Sequence, residues 1–341
     1  ALSKTIKDGI REAGGVPMEF PTHPIQETGK RPTAALDRNL SYLSLVEVLY
    51  GYPIDGVILT TGCDKTTPAA LMAAATVNIP SIVLSGGPML DGNYKGKKAG
   101  SGTIIWEARK LHAKGEIDYD EFMDMAAASA PSIGHCNTMG TASSMNSIAE
   151  ALGMSLPGGA IIPAPYKERT DISFKTGKRI VEMVFENLTP SKIMTKEAFE
   201  NAVYVASAIG ASSNCPPHLT AIARHMGVDF NLDQWEKLGH SIPLLANCQP
   251  AGEHLMEGFF KAGGIPAIMK ELIKDKKLNI KALTVTGKTI EENLNMKIDV
   301  NRDVIKSYEN PLSHNAGFIV MKSNFFSSAV MKTSVISSEF R

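Results

Sequence analysis

The chain has 341 residues, and its 35 basic and 35 acidic side chains cancel, with a pI near 7.3. No long block of one sign occurs, which argues against a nucleic-acid or anionic-membrane partner and for a small-molecule one. No apolar run approaches the roughly 18 residues of a membrane span, and residues 1–20, with Lys4, Lys7, Asp8, Arg11 and Glu12, lack the pattern of a signal peptide. A soluble, cytoplasmic protein is the expectation.

The length exceeds what one hydrophobic core usually fills, so one large domain and part of a second are expected. Residues 3–13 carry a helical pattern, broken at Gly14-Gly15-Val16-Pro17, and Met18-Glu19-Phe20 reads as a short strand before a polar loop from Thr22 to Arg31. Residues 34–50 read as the next helix. The apolar run from Ile54 to Thr60 predicts a buried strand, followed by the Gly62-Cys63-Asp64-Lys65 turn, a helix from about Pro68 to Val77 and a second strand at Ser81–Leu84. Strand, helix and strand make a βαβ unit with a parallel crossover, the mark of an α/β fold.

Gly86-Gly87-Pro88-Met89 closes the second strand. Residues 91–103 read as a Gly- and Lys-rich surface loop; phosphate or carboxylate binding there is the weaker reading, because no Walker or dinucleotide spacing is present. Residues 104–130 predict two helices, and Cys136 precedes a small-residue helix from about Gly140 to Leu152. That puts Cys136 near a helix N-terminus, where free N–H groups favour negative charge. Further helices are expected around 172–188 and 195–209, from Cys215 to about Met226 and from Gly263 onward, with another strand over Ile242–Asn247. From about 300 the texture changes to short alternating runs such as Gly317-Phe318-Ile319-Val320-Met321, the start of a β-rich region. The expected domains are therefore 1–295, α/β with a mostly parallel sheet, and 296–341, the beginning of a second.

Four cysteines, at 63, 136, 215 and 248, form no CxxC pair and read as reduced thiols, some available as ligands. Cys63 alone is equally compatible with a small buried apolar residue. Asp64 and Lys65 beside it make a poor core and a good polar site, although those two also suit a surface ion pair. Around Cys136, His135, Asn137 and Thr138 are polar, and His135 reads as a structural neighbour rather than a ligand. Cys215 and Cys248 read as packing residues, and His218, His225 and His240 are unremarkable in their spacing.

At these residues the chain resembles the dihydroxy-acid dehydratase and 6-phosphogluconate dehydratase family, especially its sugar-acid branch of L-arabinonate and D-xylonate dehydratases. The resemblance runs over essentially the whole chain. It rests on Glu12-Ala13-Gly14-Gly15, Arg31-Pro32-Thr33-Ala34, Thr61-Gly62-Cys63-Asp64-Lys65-Thr66-Thr67-Pro68, Ser85-Gly86-Gly87-Pro88-Met89, Met139-Gly140-Thr141-Ala142-Ser143, Gly153-Met154-Ser155-Leu156-Pro157-Gly158, Ser213-Asn214-Cys215-Pro216-Pro217-His218 and Gln249-Pro250-Ala251-Gly252-Glu253.

The resemblance implies an N-terminal α/β/α domain followed by a β-barrel domain. It implies an iron–sulfur cluster, [2Fe–2S] in the sugar-acid branch with [4Fe–4S] the alternative, held by Cys63, Cys136 and a third cysteine expected before Ala1. It implies Mg²⁺ bound by Glu27, Asp64 and Lys65, the last as a carbamate that replaces a repelling ammonium with two oxygens. A plain Lys65–Asp64 ion pair is the alternative. The implied activity is a hydro-lyase converting an aldonate to a 2-keto-3-deoxy acid, in a cytoplasmic homodimer or homotetramer. The family's serine base is expected beyond Arg341, so no catalytic base is expected within these residues and the chain alone is expected to be incomplete for catalysis. Alternatives are dehydration of a branched dihydroxy acid in amino-acid synthesis, and a truncated, non-catalytic binding or dimerisation module.

Overall fold

The computed structural model describes residues 2–23, 25 and 34–336. Its elements in order are α1 (Leu2–Glu12), α2 (Ala35–Gly51), β1 (Val57–Thr61), α3 (Thr66–Val77), β2 (Ser81–Ser85), the strands β3 (Gly92–Tyr94) and β4 (Lys97–Ala99), α4 (Ile104–Ala113), α5 (Tyr119–Ala128) and α6 (Thr141–Ala151). There follow α7 (Lys167–Phe185), α8 (Pro190–Ile193), α9 (Lys196–Ala208), α10 (Cys215–His225), α11 (Leu232–Gly239), α12 (Met256–Lys261), α13 (Gly264–Lys274), α14 (Ile290–Asn293), β5 (Phe318–Met321) and β6 (Ala329–Lys332).

The predicted βαβ unit is present. β1 and β2 pair in parallel, Val57 opposite Ser81 through Thr61 opposite Ser85, with α3 as the crossover. α3 and α7 both pack on this pair, and α1 lies along α7. Close packing follows from residue size: Gly9 of α1 and Gly177 of α7 meet where an added Cβ on Gly9 would lie 2.2 Å from the Phe174 carbonyl oxygen. Five of the seven residues from Ala69 to Ala75 in α3 are alanine, and the run is buried throughout, so the helix packs closely with its neighbours.

The sheet is smaller than expected. Among the described residues it has two parallel strands rather than a wider array. Met18-Glu19-Phe20 does not form the predicted strand: Val16 and Met18 are exposed, and the segment makes no backbone hydrogen bond among the described residues. Beside it, no strand pairs with the outer edge of β1 among the described residues. The ladder to β2 uses alternate residues, the Val57 amide donating to Pro80 and the Thr61 carbonyl accepting from Gly86, so the Ile58 and Thr60 peptide groups face the other way. A cavity of about 560 Å³ lies along that edge, lined by Ile54–Thr60, Val16–Phe20 and one face of α1.

Ile242–Asn247 is extended but forms isolated bridges, Leu244 with Ser313 and Ala246 with Ile305, instead of a strand. Its hydrogen bonds go to non-strand partners: the Leu245 amide to Ala208, and the Asn247 amide to Val304. Residues 91–103, read as a loop, contain the β3–β4 antiparallel hairpin. The β texture after residue 300 resolves into one antiparallel hairpin, Phe318 opposite Lys332, with no closed barrel among the described residues. Phe318 packs edge-on to buried Trp235, their rings 5.2 Å apart, which fixes this hairpin to the helical core.

Candidate active site

β1 delivers Cys63, Asp64 and Lys65 at its carboxyl end, the edge where α/β sheets place ligands. Thr66 shapes the turn. Its hydroxyl accepts from the Cys63 amide at 3.1 Å and donates to the Cys63 carbonyl at 3.0 Å, and the Thr67 hydroxyl reaches the same carbonyl at 3.4 Å. Pro68 sits in the first turn of α3, where its missing N–H would have had no helical partner. Cys63 is half-buried, Lys65 is buried, and the Lys65 ammonium lies 3.4 Å from the Asp64 carboxylate, so the ion-pair contact is made.

β2 positions the second thiol. Its continuation through Gly87 and Met89 pairs with His135: the His135 amide donates to Gly87 at 3.0 Å and the Met89 amide to His135 at 2.9 Å. The approach needs glycine at 134, whose φ is +133° and where a Cβ would lie 2.5 Å from the Met89 nitrogen. Gly87, at φ +89°, would carry a Cβ 2.3 Å from the Ile162 carbonyl oxygen. Below this junction buried Arg169 donates to the carbonyls of Ser85, Gly159 and Ile162, bracing the base of the turn. Cys136 itself is exposed.

One side chain ties the two cysteine loops together. Asn146, on α6, is buried; its Oδ1 accepts from the Thr61 hydroxyl at 2.9 Å and lies 3.3 Å from the Thr67 hydroxyl, whose one proton is shared with the Cys63 carbonyl. The two hydrogens of its Nδ2 are shared among three acceptors, the Ala142 carbonyl at 2.9 Å, His135 Nε2 at 3.4 Å and the Gly62 carbonyl at 3.5 Å. The His135 tautomer follows. Nδ1 is 3.0 Å from the Cys136 carbonyl, which only accepts, so the proton is on Nδ1 and Nε2 accepts from Asn146. Burial depresses the His135 pKa to about 4, which keeps the ring neutral.

Beyond Cys136, buried Asn137 accepts from the Ser101 amide at 2.8 Å and donates to Leu90 at 2.9 Å, while the Met256 amide donates to its carbonyl at 2.9 Å. The segment read as a free surface loop is thus fastened to the cysteine loop through Ser101. Cys215 and Cys248 are fully enclosed, as their packing role requires, and burial raises the Cys215 thiol to about 12.

The donor chemistry suits the implied groups in kind: two thiols for a soft iron and a carboxylate for a hard cation. In number it is partial. Among the described residues no cluster of three or more His, Cys, Asp or Glu is arranged to hold a metal, and Glu27 lies outside the described residues. Sequence reasoning missed Asn146, read Asn137 only as a polar neighbour of Cys136, since the partners of both are remote in sequence, and passed over His218. That histidine is buried, with Nδ1 3.0 Å from the Arg38 guanidinium and with Lys65 and Asp64 among the charges acting on its ring. Among the described residues, no helix is long and apolar enough to cross a membrane.

Residues 1–293 match the family model for the dihydroxy-acid/6-phosphogluconate dehydratase N-terminal domain. The chain is 58% identical over 340 residues to a D-xylonate dehydratase of Caulobacter vibrioides, covering 100% of this chain and 57% of that relative. It is 45% identical over 337 residues to an L-arabinonate dehydratase of Rhizobium leguminosarum bv. trifolii, covering 98% and 58%. With a dihydroxy-acid dehydratase of Caldanaerobacter subterraneus the identity is 40% over 344 residues, covering 99% and 62%. The chain therefore spans 57–62% of the length of these relatives.

Proposed function

The chain belongs to the dihydroxy-acid/6-phosphogluconate dehydratase family, and from that premise we propose that the whole protein is a hydro-lyase converting a 2,3-dihydroxy sugar acid to a 2-keto-3-deoxy acid. The observation that carries this reading is the joining of the Cys63 and Cys136 loops by Asn146 at the carboxyl ends of two parallel strands. Identity of 58% to a D-xylonate dehydratase against 40% to a dihydroxy-acid dehydratase supports an aldonate over a branched acid. Homodimeric or homotetrameric assembly, a cytoplasmic location, and a β-rich second domain beginning near residue 296 are parts of the same proposal.

In this reading Cys63, Cys136 and a third thiol from outside this chain hold an iron–sulfur cluster, and Glu27, Asp64 and carbamylated Lys65 hold Mg²⁺. Together these groups supply Lewis acidity where hydroxide, a poor leaving group, must depart from C3 and charge develops at C2. The chain's own residues do the positioning. Thr66 fixes the backbone on both sides of the Cys63 peptide, Asn146 sets the separation of the two loops, and Arg169 with the two glycines keeps the strand ends rigid. Preorganised donors of this kind cost no reorganisation when the reaction occurs. The base that removes the C2 proton is assigned, by resemblance, to a serine outside this chain.

Anaerobic reconstitution of the full-length gene product tests the assignment. About two irons and two sulfides per chain, with cluster absorption bands, are expected. A folded, colourless product that takes up no iron would instead favour a non-catalytic binding module.

A further inference from the structure

His218 lies on α10, which packs against α3, the helix that begins directly after Lys65. The ring is 4% exposed, and its Nδ1 stands 3.0 Å from Nη1 of Arg38 on α2. A guanidinium has N–H donors and no acceptor, so Nδ1 must accept and the ring proton must sit on Nε2. Nε2 is buried and has no hydrogen-bond partner among the described residues. A buried donor without an acceptor is unusual in a native protein and calls for a ligand, an ion or a water to complete it. Besides Arg38, the charges acting on the ring are those of Lys65 and Asp64, at the mouth of the Cys63 turn.

We infer that the Nε2–H of His218 is a built-in donor to the Asp64–Lys65 site, its acceptor a carboxylate-type oxygen bound there. Two sources offer that oxygen: a carbamate on Lys65, and the carboxylate of the aldonate. The inference rests on the dehydratase reading for the identity of the ligand, but the tautomer follows from Arg38 alone. His218 is a positioning residue in the first case and a substrate-binding residue in the second. Arg38 locks the tautomer in both, which explains why a cation is spent on a neutral ring.

The test uses ¹⁵N-histidine-labelled, metal-loaded full-length protein. The expected spectrum shows His218 as the Nε2–H tautomer, with its Hε2 resonance moving on addition of bicarbonate with Mg²⁺ or of D-xylonate. Movement with bicarbonate and Mg²⁺ that is lost in Lys65→Met assigns the acceptor to the carbamate; movement that requires D-xylonate assigns it to substrate. An Nδ1–H tautomer, or an Hε2 resonance indifferent to both additions, overturns the inference. In turnover, His218→Leu is expected to lower kcat/KM roughly 10- to 100-fold, whereas His218→Gln, which keeps an N–H donor, stays within about tenfold of wild type. Equal rates for His218→Leu and wild type would also overturn it. Wild-type protein that turns over D-xylonate with an unmoved His218 ring leaves the dehydratase reading standing. Inert wild-type protein whose Hε2 still moves with bicarbonate and Mg²⁺ keeps the donor and removes the reading.

Discussion

Asn146 Nδ2 and His135 Nε2 lie 3.4 Å apart, and the same amide group reaches the carbonyl of Gly62 at 3.5 Å. Through this one side chain the loop that carries Cys63 is held to the loop that carries Cys136. Replacing it by leucine removes the acceptor of the Thr61 hydroxyl and the amide shared between both loops, leaving buried polar atoms unpaired, while the Thr67 hydroxyl keeps the Cys63 carbonyl. Asn146→Leu is expected to cost roughly 1–3 kcal/mol in urea unfolding and to lower the iron retained by the full-length protein. Wild-type stability together with wild-type iron content would show that the bridge is incidental.

Gly134→Ala sets φ strain and a clash at the same position. At φ +133° the new Cβ would meet the Met89 nitrogen and the Pro88 carbonyl carbon at 2.5 Å, both backbone atoms that cannot rotate away. A loss of about 3 kcal/mol or more is expected. Gly14→Ala is the control: its φ is +87°, but nothing lies within 4 Å, so only the conformational cost of about 1 kcal/mol applies. Comparable losses in the two variants would contradict the close-approach account.

Cys63→Ser and Cys136→Ser are each expected to abolish cluster assembly in the full-length protein, while Cys215→Ser and Cys248→Ser leave iron content unchanged in whatever folds. Iron and sulfide analysis of anaerobic samples decides this. Full iron content in either of the first two variants would remove that residue from the ligand set.

Glu150 supplies a pH dependence. Its carboxylate is buried, accepting from the Gly158 amide at 2.7 Å and the Ala160 amide at 2.9 Å, and burial raises its pKa from 4.5 to about 7. A raised carboxylate means the folded protein binds the proton more tightly than the unfolded chain. The contribution of this group is therefore greatest below pH 4.5 and declines as pH rises through 7. Urea unfolding of wild type and Glu150→Gln at pH 5 and pH 8 should show wild type losing ground to the variant at the higher pH. A constant difference between the two would contradict the assignment.

The parts of this fold that were legible in the sequence depend on local pattern. The apolar run before Cys63, the crossover helix and the second strand are short-range signals, and their parallel pairing follows from the crossover's length and hand. Cys63, Asp64 and Lys65 were visible because they are adjacent, and their emergence at one strand end follows from that strand. Asn146 was not visible. Its partners Thr61, Gly62 and Thr67 lie 79–85 positions away, and α6 is buried from Ala142 to Ala151, so no amphipathic stripe marks which side chain faces the loops. Met18–Phe20 misled for a related reason. Its residues favour a strand, but a strand also needs a partner for its backbone, and none is present among the described residues.

The central claim is that the whole protein dehydrates an aldonate. The most direct measurement is an anaerobic assay of the reconstituted full-length gene product against D-xylonate, L-arabinonate, D-gluconate and a 2,3-dihydroxy-3-methyl branched acid, with the 2-keto product trapped and identified. Formation of a 2-keto-3-deoxy acid from one or more aldonates, at rates above that with the branched acid, is the predicted result. Reaction with the branched acid alone, or with none of the four by a product carrying full iron and sulfide, would contradict it.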